Sequence, residues 1–222
     1  DLPGRTLILD GDGPCYVVAA TTKRMDTAIR RFQSEVLRCM FLSKAEDCTV
    51  HLTAHNSDKH GRFRVIAEQP YQGNRKNKDK PSLLEPLREA MADRSNWLPE
   101  FNEVILHRKL EADDGMIQQA YGLGERGVVW SEDKDLRMTP YPYYEQKTGT
   151  VSPSVKGAGE LWLVQKTASQ VLAGRGRLFF WGQMLCGDQA DHVKGIRTVD
   201  GKKCGSVGAY DLLKSVGNDE DK

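Results

Sequence analysis

Short apolar runs alternate with segments of helical periodicity along the first part of the chain, and this alternation restricts the possible fold more than any other feature. Four runs read as strands: 6–9 (TLIL), 48–53 (CTVHLT), 103–107 (EVILH) and 127–131 (GVVWS). Three segments carry apolar residues at helical spacing: 23–44, 82–97 and 111–121. Strands that alternate with helices predict an α/β fold with a mainly parallel central sheet flanked by helices.

Acidic residues follow each of the predicted strands. Asp10 comes directly after the first strand, and Asp58 lies in the loop after the second. Glu111 lies a few residues beyond the third strand, and Asp133 follows the fourth. Because sites in parallel sheets form beyond the carboxyl ends of the strands, we expect these acids to converge on one edge.

Clustered carboxylates supply the hard oxygen ligands that Mg²⁺ and Mn²⁺ prefer. Two such ions about 4 Å apart can activate a water and stabilise the leaving oxygen of a phosphodiester. The candidate metal ligands are Asp10, Asp58, Glu111, Asp113, Asp114, Asp133, Asp135, Asp188 and Asp191. Acids at a helix start are also common as caps, so the joint pattern carries this interpretation rather than any single cluster. Asp133 and Asp135 would point the same way if their segment is extended.

Composition gives weaker constraints. Hydrophobic residues make up 39% of the 222 residues and charged residues 28%, which indicates a globular chain. No apolar run approaches the roughly 20 residues of a membrane span. The five cysteines are scattered without metal-ligand spacing, so we expect reduced thiols and a cytoplasmic protein. Lys and Arg number 32 against 31 Asp and Glu, and the basic stretch 74–78 fits either a phosphate-binding surface or an ordinary mixed surface.

The pattern changes after residue 150. Helices are predicted near 160–173 and 177–186, followed by a Gly-rich stretch at 201–208 and a short helix at 209–215. We therefore expect a core over 1–150 and a second, helical region over 151–222.

Several short motifs, in this order along the chain, carry a resemblance to a known family. They are Ile8-Leu9-Asp10-Gly11, Phe63-Arg64, Tyr71-Gln-Gly-Asn-Arg75, Glu111-Ala-Asp-Asp114, Ser131-Glu-Asp-Lys-Asp135 and Gly187-Asp-Gln-Ala-Asp-His-Val-Lys-Gly195. With these motifs the chain resembles the flap endonuclease and 5′–3′ exonuclease family over residues 6–216. That family includes the 5′ nuclease domain of bacterial DNA polymerase I and stand-alone bacteriophage exonucleases.

The resemblance implies a fold of the PIN or 5′-nuclease kind with two subsites for Mg²⁺ or Mn²⁺. Asp10, Asp58, Glu111 and Asp113 match the first subsite, with Asp114 adjacent. The second is matched by Asp133, Asp135, Asp188 and Asp191. The implied reaction is in-line attack of a metal-activated water on DNA at a 5′ end, flap or single-strand/duplex junction, leaving a 5′-phosphate and a 3′-hydroxyl. We expect a monomer that acts in bacteriophage replication, in the host cytoplasm.

The resemblance also implies two DNA-contacting parts. Residues 71–99 match the family's arch, in which Tyr71 stacks on a base while Arg75 and Lys76 hold the scissile phosphate. Gln72 stands where the family usually has a catalytic Lys. The second part is a C-terminal helix–three-turn–helix module. Its implied DNA contacts are Lys194, Gly205, Ser206, Val207 and Gly208, and the carbonyls of Cys204 and Val207 would hold a K⁺ ion.

Two alternatives remain open from the residues alone. Asp10-Gly-Asp12 after a strand also looks like the nucleophile loop of a haloacid-dehalogenase-like phosphomonoesterase, with Asp10 as nucleophile and Asp12 as acid/base. That alternative leaves the acids at 111–114 and 133–135 unexplained. The other is a nuclease-like DNA-binding protein without catalysis, which Gln72 favours because a neutral amide cannot stabilise phosphoryl charge as Lys does.

Overall fold

The computed structural model describes residues 3–65, 79–188, 193–199 and 201–216, apart from the side chains of 202, 203 and 216. The chain divides into two compact units. Among the described residues, the first unit holds 3–64, 79–136 and 141–153, and the second holds 65, 137–140 and those from 154 onward. No helix in this described part of the chain is both long and apolar enough to cross a lipid bilayer.

The first unit is built on a six-stranded sheet. Its strands are β1 (Thr6–Asp10), β2 (Asp47–Thr53), β3 (Phe101–His107), β4 (Gly127–Trp130), β5 (Tyr143–Glu145) and β6 (Thr150–Ser152). They lie in the order β3-β2-β1-β4-β5-β6, with parallel pairing from β3 to β5 and antiparallel pairing of β5 with β6. The predicted, mainly parallel sheet is confirmed. Strand order reverses between β1 and β4, so a crevice is expected beyond their carboxyl ends.

Helices cover both faces of this sheet. They are α1 (Asp12–Thr21), α2 (Met25–Ser43), α3 (Leu84–Ala92) and α4 (Ala112–Leu123). Side chains alternate along β1: Leu7 and Leu9 pack with α1, α2 and α3, whereas Ile8 packs with α4 on the other face. The helices predicted over 23–44, 82–97 and 111–121 are thus confirmed, with ends shifted by a few residues.

Helix α1 was not predicted, because Gly11, Gly13 and Pro14 indicated a loop after β1. Pro14 lies in the first turn of the helix, where its missing N–H costs no hydrogen bond. Helix α3 lies within the segment that was matched to an arch. Its Leu84 and Leu87 are buried against the layer of α1 and α2, so this helix packs on the core of the first unit.

The second unit begins with a β-hairpin, and the helix predicted over 160–173 is wrong. Strands β7 (Glu160–Gln165) and β8 (Gln170–Arg175) pair antiparallel. A hydrogen bond from Lys166 N to Ser169 O, 2.8 Å long, closes the turn between them. Leu161 and Leu163 both pack toward the core cluster, which is the two-residue period of a strand. The short apolar run at 161–164 is compatible with both the two-residue period of a strand and the 3.6-residue period of a helix.

Two helices and two short ladders complete the second unit. They are α5 (Arg177–Cys186), the β9–β10 pair (Gly187–Asp188 with Val193–Lys194), the β11–β12 pair (Thr198–Val199 with Lys202–Lys203) and α6 (Ser206–Val216). Leu172 of β8 and Ala209 of α6 are buried in a common cluster. The helix predicted over 177–186 is confirmed. The helix predicted over 209–215 begins three residues earlier. The helix–three-turn–helix module stays a prediction.

Candidate active site

Asp10 lies at the reversal point of the strand order, as the last residue of β1. Ser131, the first residue after β4, donates a hydrogen bond from Oγ to Asp10 Oδ2 over 2.7 Å. The backbone N–H of Asp12 donates to Asp10 Oδ1 over 3.1 Å. These two bonds fix the carboxylate across the carboxyl ends of β1 and β4, where a crevice was expected.

The charge on Asp10 is unfavourable in this setting. Burial raises its pKa to about 6, and the negative charges of Asp12 and Asp133 act in the same direction. The two hydrogen bonds to Asp10 lower the pKa but do not outweigh burial. A nearby cation would stabilise the ionised form, so the electrostatics of Asp10 fit a metal ligand.

The loop after β4 brings Asp133 close to Asp10. Ser131 Oγ accepts a hydrogen bond from Asp133 N over 3.0 Å, and Asp133 Oδ1 accepts one from Asp135 N over 2.9 Å. Residues Lys134–Met138 form a 3₁₀ helix. The segment is therefore not extended here, and the condition under which Asp133 and Asp135 would point the same way is not met.

A second acidic group lies at the start of α4. Glu111 is the N-cap residue and forms a capping box with Asp114, whose Oδ2 accepts a hydrogen bond from Glu111 N over 3.1 Å. Burial raises the pKa of Asp113 to about 7, with further contributions from the charges of Glu111 and Asp114. The structure therefore brings Glu111, Asp113 and Asp114 together, as the sequence predicted, and it also gives two of them a role in capping.

Two basic side chains lie against the α4 acids. Arg62 donates hydrogen bonds to Glu111 and, over 2.6 Å, to Asp114 Oδ1. Lys59 Nζ lies 2.9 Å from Glu111 Oε1. Sequence reasoning missed both cations, because nothing in the spacing of Lys59 and Arg62 points to residues some fifty positions away. They supply counter-charge to carboxylates that would otherwise repel one another.

A buried polar network lies between α4 and the sheet. His51 Nδ1 is 2.9 Å from His107 Nε2, and His51 Nε2 is 2.7 Å from Gln119 Oε1. Gln119 Nε2 donates to Thr49 Oγ1 over 2.9 Å. Burial lowers the pKa of His51 to about 4 and also lowers that of His107, although the charges of Asp114 and Asp12 act on His107 in the opposite direction. The pKa of His107 is thus influenced both by Asp114, at the start of α4, and by Asp12, which follows β1.

Asp12 has partners of its own. Its Oδ1 accepts a hydrogen bond from Thr53 N over 3.1 Å and lies 2.9 Å from an Arg88 guanidinium nitrogen. A carboxylate held in this way by a half-buried arginine is suited to joining α1, β2 and α3. The arrangement favours a structural role for Asp12 over that of an acid/base.

The other predicted site residues are distributed as follows. Asp58 is exposed, and its Oδ1 accepts a hydrogen bond from His60 N over 3.1 Å. Asp188 lies in β9 of the second unit. Asp191, Tyr71, Gln72, Arg75 and Lys76 lie outside the described residues. Their predicted roles stay predictions.

The residues predicted to contact DNA or K⁺ in the second unit lie around the start of α6. Gly205 precedes the helix, and Ser206, Val207 and Gly208 form its first turn. Cys204 is buried, with its N–H bonded to Arg197 O over 3.1 Å. Lys194 is exposed in β10. This placement suits phosphate contact at a helix start.

The carboxylates of the first unit are candidate ligands for divalent metal ions. Within the ranges that the structure describes, no three His, Cys, Asp or Glu side chains already form a metal-binding group. Two half-buried carboxylates, Asp10 and Asp113, nevertheless have raised pKa values that a cation would lower. Oxygen donors of this kind suit Mg²⁺ or Mn²⁺. The residues of the first unit therefore fit such ions by chemistry and electrostatics.

Comparison with solved structures identifies the fold. A bacteriophage T5 flap endonuclease, solved as a pseudo-enzyme–product complex with DNA and metal ions, matches with a TM-score of 0.62 at 15% identity, over 98% of this chain and 77% of that one. The T5 5′-exonuclease with bound zinc ions matches with a TM-score of 0.61 at 15% identity, over 96% and 76% of the two chains. No family model matches the chain, and no curated protein matches its sequence. The chain thus has the fold of these 5′ nucleases.

Proposed function

We propose that this chain is a divalent-metal-dependent 5′ nuclease that hydrolyses phosphodiester bonds in DNA and belongs to the flap endonuclease and 5′–3′ exonuclease family. The observation that carries the proposal is the pair of half-buried carboxylates, Asp10 and Asp113, in the first unit of a chain that matches the T5 nuclease fold. Both retain protons to unusually high pH without a cation. Acids in such a setting are characteristic of functional sites rather than of ordinary surfaces.

Each group in the first unit has a distinct task in this proposal. When bound, two Mg²⁺ or Mn²⁺ ions would activate the attacking water and stabilise the leaving oxygen, which gives a 5′-phosphate and a 3′-hydroxyl. Asp10, oriented by Ser131, and Asp113 would hold these ions. Asp133 stands next to Asp10 and would complete that side. Glu111, Asp114, Asp135, Asp58, Asp188 and Asp191 remain proposed ligands.

Lys59 and Arg62 act as counter-ions of the site. Their contacts to Glu111 and Asp114 offset part of the acidic charge while no metal is bound. An ion that took Glu111 or Asp114 as a ligand would compete with these side chains. Once released, Lys59 and Arg62 carry the charge needed to attract the phosphates of the substrate.

DNA is the proposed partner. One T5 structure of the same fold was solved with DNA and metal ions. In the second unit, the N–H groups at the start of α6 and the exposed Lys194 suit phosphate contact. Tyr71, Arg75 and Lys76 would act on the 5′ side of the substrate, as the family resemblance implies, and a K⁺ ion at Cys204 and Val207 is part of the same proposal.

The test is cleavage of a 5′-labelled flap and a blunt duplex with Mg²⁺ or Mn²⁺. We expect Asp10→Asn and Asp113→Asn each to lower turnover at least about 100-fold while DNA binding is kept, because each replaces a proposed anionic metal ligand with a neutral amide. Glu125→Gln is the matched control, since Glu125 is exposed beyond the end of α4, in the 3₁₀ turn that precedes β4. DNA cleavage that persists in chelator, or full activity in both the Asp10→Asn and the Asp113→Asn variant, would contradict the proposal.

A further inference from the structure

A cavity of about 430 Å³ opens beside Asp10 on the face of the sheet that carries α1 and α2. Asp10, Ser131 and Glu132 line it at the carboxyl ends of β1 and β4. Gly13, at the start of α1, and Thr21, at its end, also line it, so the cavity runs along the helix for about 13 Å. Its volume is in the range of small-ligand sites.

The middle of this cavity has an apolar and rigid wall. Val18 and Trp130 line it and are buried. The Trp130 ring stacks on Tyr144, with centroids 3.8 Å apart and the planes 6° from parallel. The Arg38 guanidinium lies over the same ring, 5.7 Å from its centroid, so the apolar surface left for a ligand such as a nucleobase is that of Val18 and of the exposed Val17, which also lines the cavity.

Two arginines of α2 line the cavity as well, and they differ in what they already bind. Arg38 donates to both carboxylate oxygens of Glu35, over 2.9 and 2.5 Å. Arg31 makes one long hydrogen bond, 3.4 Å from its NH1 to Thr21 O, and no ion pair with any described residue. A guanidinium with unused donors at the end of α1 suits a phosphate.

We propose that this cavity binds the 5′-terminal nucleotide of the substrate, with its base on the apolar wall of Val17 and Val18 and its 5′-phosphate on Arg31. The 3′ oxygen of that nucleotide then lies at the Asp10 end, where the scissile phosphate belongs. This inference rests on the proposed function. It adds that binding of the terminal 5′-phosphate positions the substrate so that exonucleolytic cleavage releases one nucleotide. Asp10 and Glu132 disfavour an anion at their own end, so the terminal phosphate binds at Arg31.

The test compares short DNA duplexes with a 5′-phosphate and a 5′-hydroxyl, together with binding of thymidine 5′-monophosphate and thymidine measured calorimetrically in chelator. We expect the unchanged chain to bind the monophosphate about tenfold more tightly than the nucleoside, and to prefer the phosphorylated duplex by a similar factor in KM. Arg31→Ala should abolish both preferences, and Arg31→Lys should restore part of them.

Arg30→Ala is the matched control, since Arg30 lies on the same helix but contacts Asp26 and does not line the cavity. It should behave as the unchanged chain does, and all variants should unfold at similar temperatures. Equal binding of monophosphate and nucleoside, or equal losses in the Arg30 and Arg31 variants, would overturn the inference. DNA cleavage at the same rate with a 5′-phosphate and a 5′-hydroxyl would contradict the proposed pocket but not the proposed nuclease function. Phosphate-dependent nucleotide binding without any DNA cleavage would support the pocket and contradict the nuclease function.

Discussion

The half-buried Asp113 carboxylate lies near two other carboxylates, Glu111 and Asp114, which disfavour its negative charge. Its pKa of about 7 lies above the value of about 4 expected in the unfolded chain. Between those values the folded chain holds a proton that the unfolded chain has lost. The contribution of Asp113 to folding stability in the absence of metal therefore falls as the pH rises from about 4 through about 7, and it stays low above that.

We expect Asp113→Asn to stabilise the metal-free chain at pH 8 by at least about 1 kcal/mol, because the amide removes a charge that burial and Glu111 disfavour. Near pH 4 the two chains should unfold at nearly the same temperature. Thermal unfolding in chelator at pH 4, 6 and 8 measures this difference, and Glu125→Gln serves as the exposed control. A stability difference that does not change with pH would mean that the Asp113 charge is well solvated.

Helix α4 holds Asp113 in place because it packs closely on the sheet, and Gly115 makes that approach possible. A Cβ on Gly115 would overlap the His107 ring and lie 2.8 Å from His51 Nδ1. These rings cannot move aside cheaply, since they bond to each other and, through His51, to Gln119. The start of α4, with its acids, is therefore positioned by a small residue over a fixed polar network.

Gly115→Ala should lower the free energy of unfolding by about 1–3 kcal/mol, because the methyl group must displace α4 or break the histidine pair. Gly122→Ala, in the same helix, has open space at its Cβ and should raise stability by about 0.5–1 kcal/mol through helix propensity. Urea unfolding of the two variants measures both effects. Equal changes in the free energy of unfolding for the two variants would show that α4 does not depend on the close contact of Gly115 with His107 and His51.

Elements with a clear local pattern could be predicted from the sequence, and elements without one could not. The strands β1 to β4 follow from short apolar runs, and the helices α2 to α4 follow from apolar residues at helical spacing. The hairpin of β7 and β8 was predicted as a helix because its central run is apolar on both faces. Helix α1 was missed because Pro14 was taken as a loop signal, although proline is well tolerated in a first helical turn.

At the scale of the whole molecule, the sequence predicted Asp10 at a strand end and three acids at the start of α4, but not the groups that modulate them. Asp10 could be predicted because a strand end fixes its location. Its bond to Ser131 joins residues 121 positions apart, and Arg62 reaches Asp114 across 52 positions. Such partners depend on how the elements pack, which no local pattern records. The same holds for the histidine pair under α4.

Metal binding and folding of the whole chain should be linked through these acids. An ion at 100 times its dissociation constant adds about 2.7 kcal/mol to the free energy of unfolding if it binds only the folded state. We expect Mn²⁺ to raise the unfolding temperature strongly at pH 8 and weakly at pH 5. At the lower pH, protons occupy Asp10 and Asp113, whose pKa values lie near 6 and 7.

Differential scanning calorimetry with and without Mn²⁺ measures this linkage. The double variant Asp10→Asn with Asp113→Asn should lose most of the rise at pH 8, because it lacks the two carboxylates whose charge the ion would compensate, whereas Glu125→Gln should keep it. A rise of equal size in the double variant would place the ions elsewhere on the chain. A rise that is the same at pH 5 and pH 8 would show that carboxylates of raised pKa do not hold them.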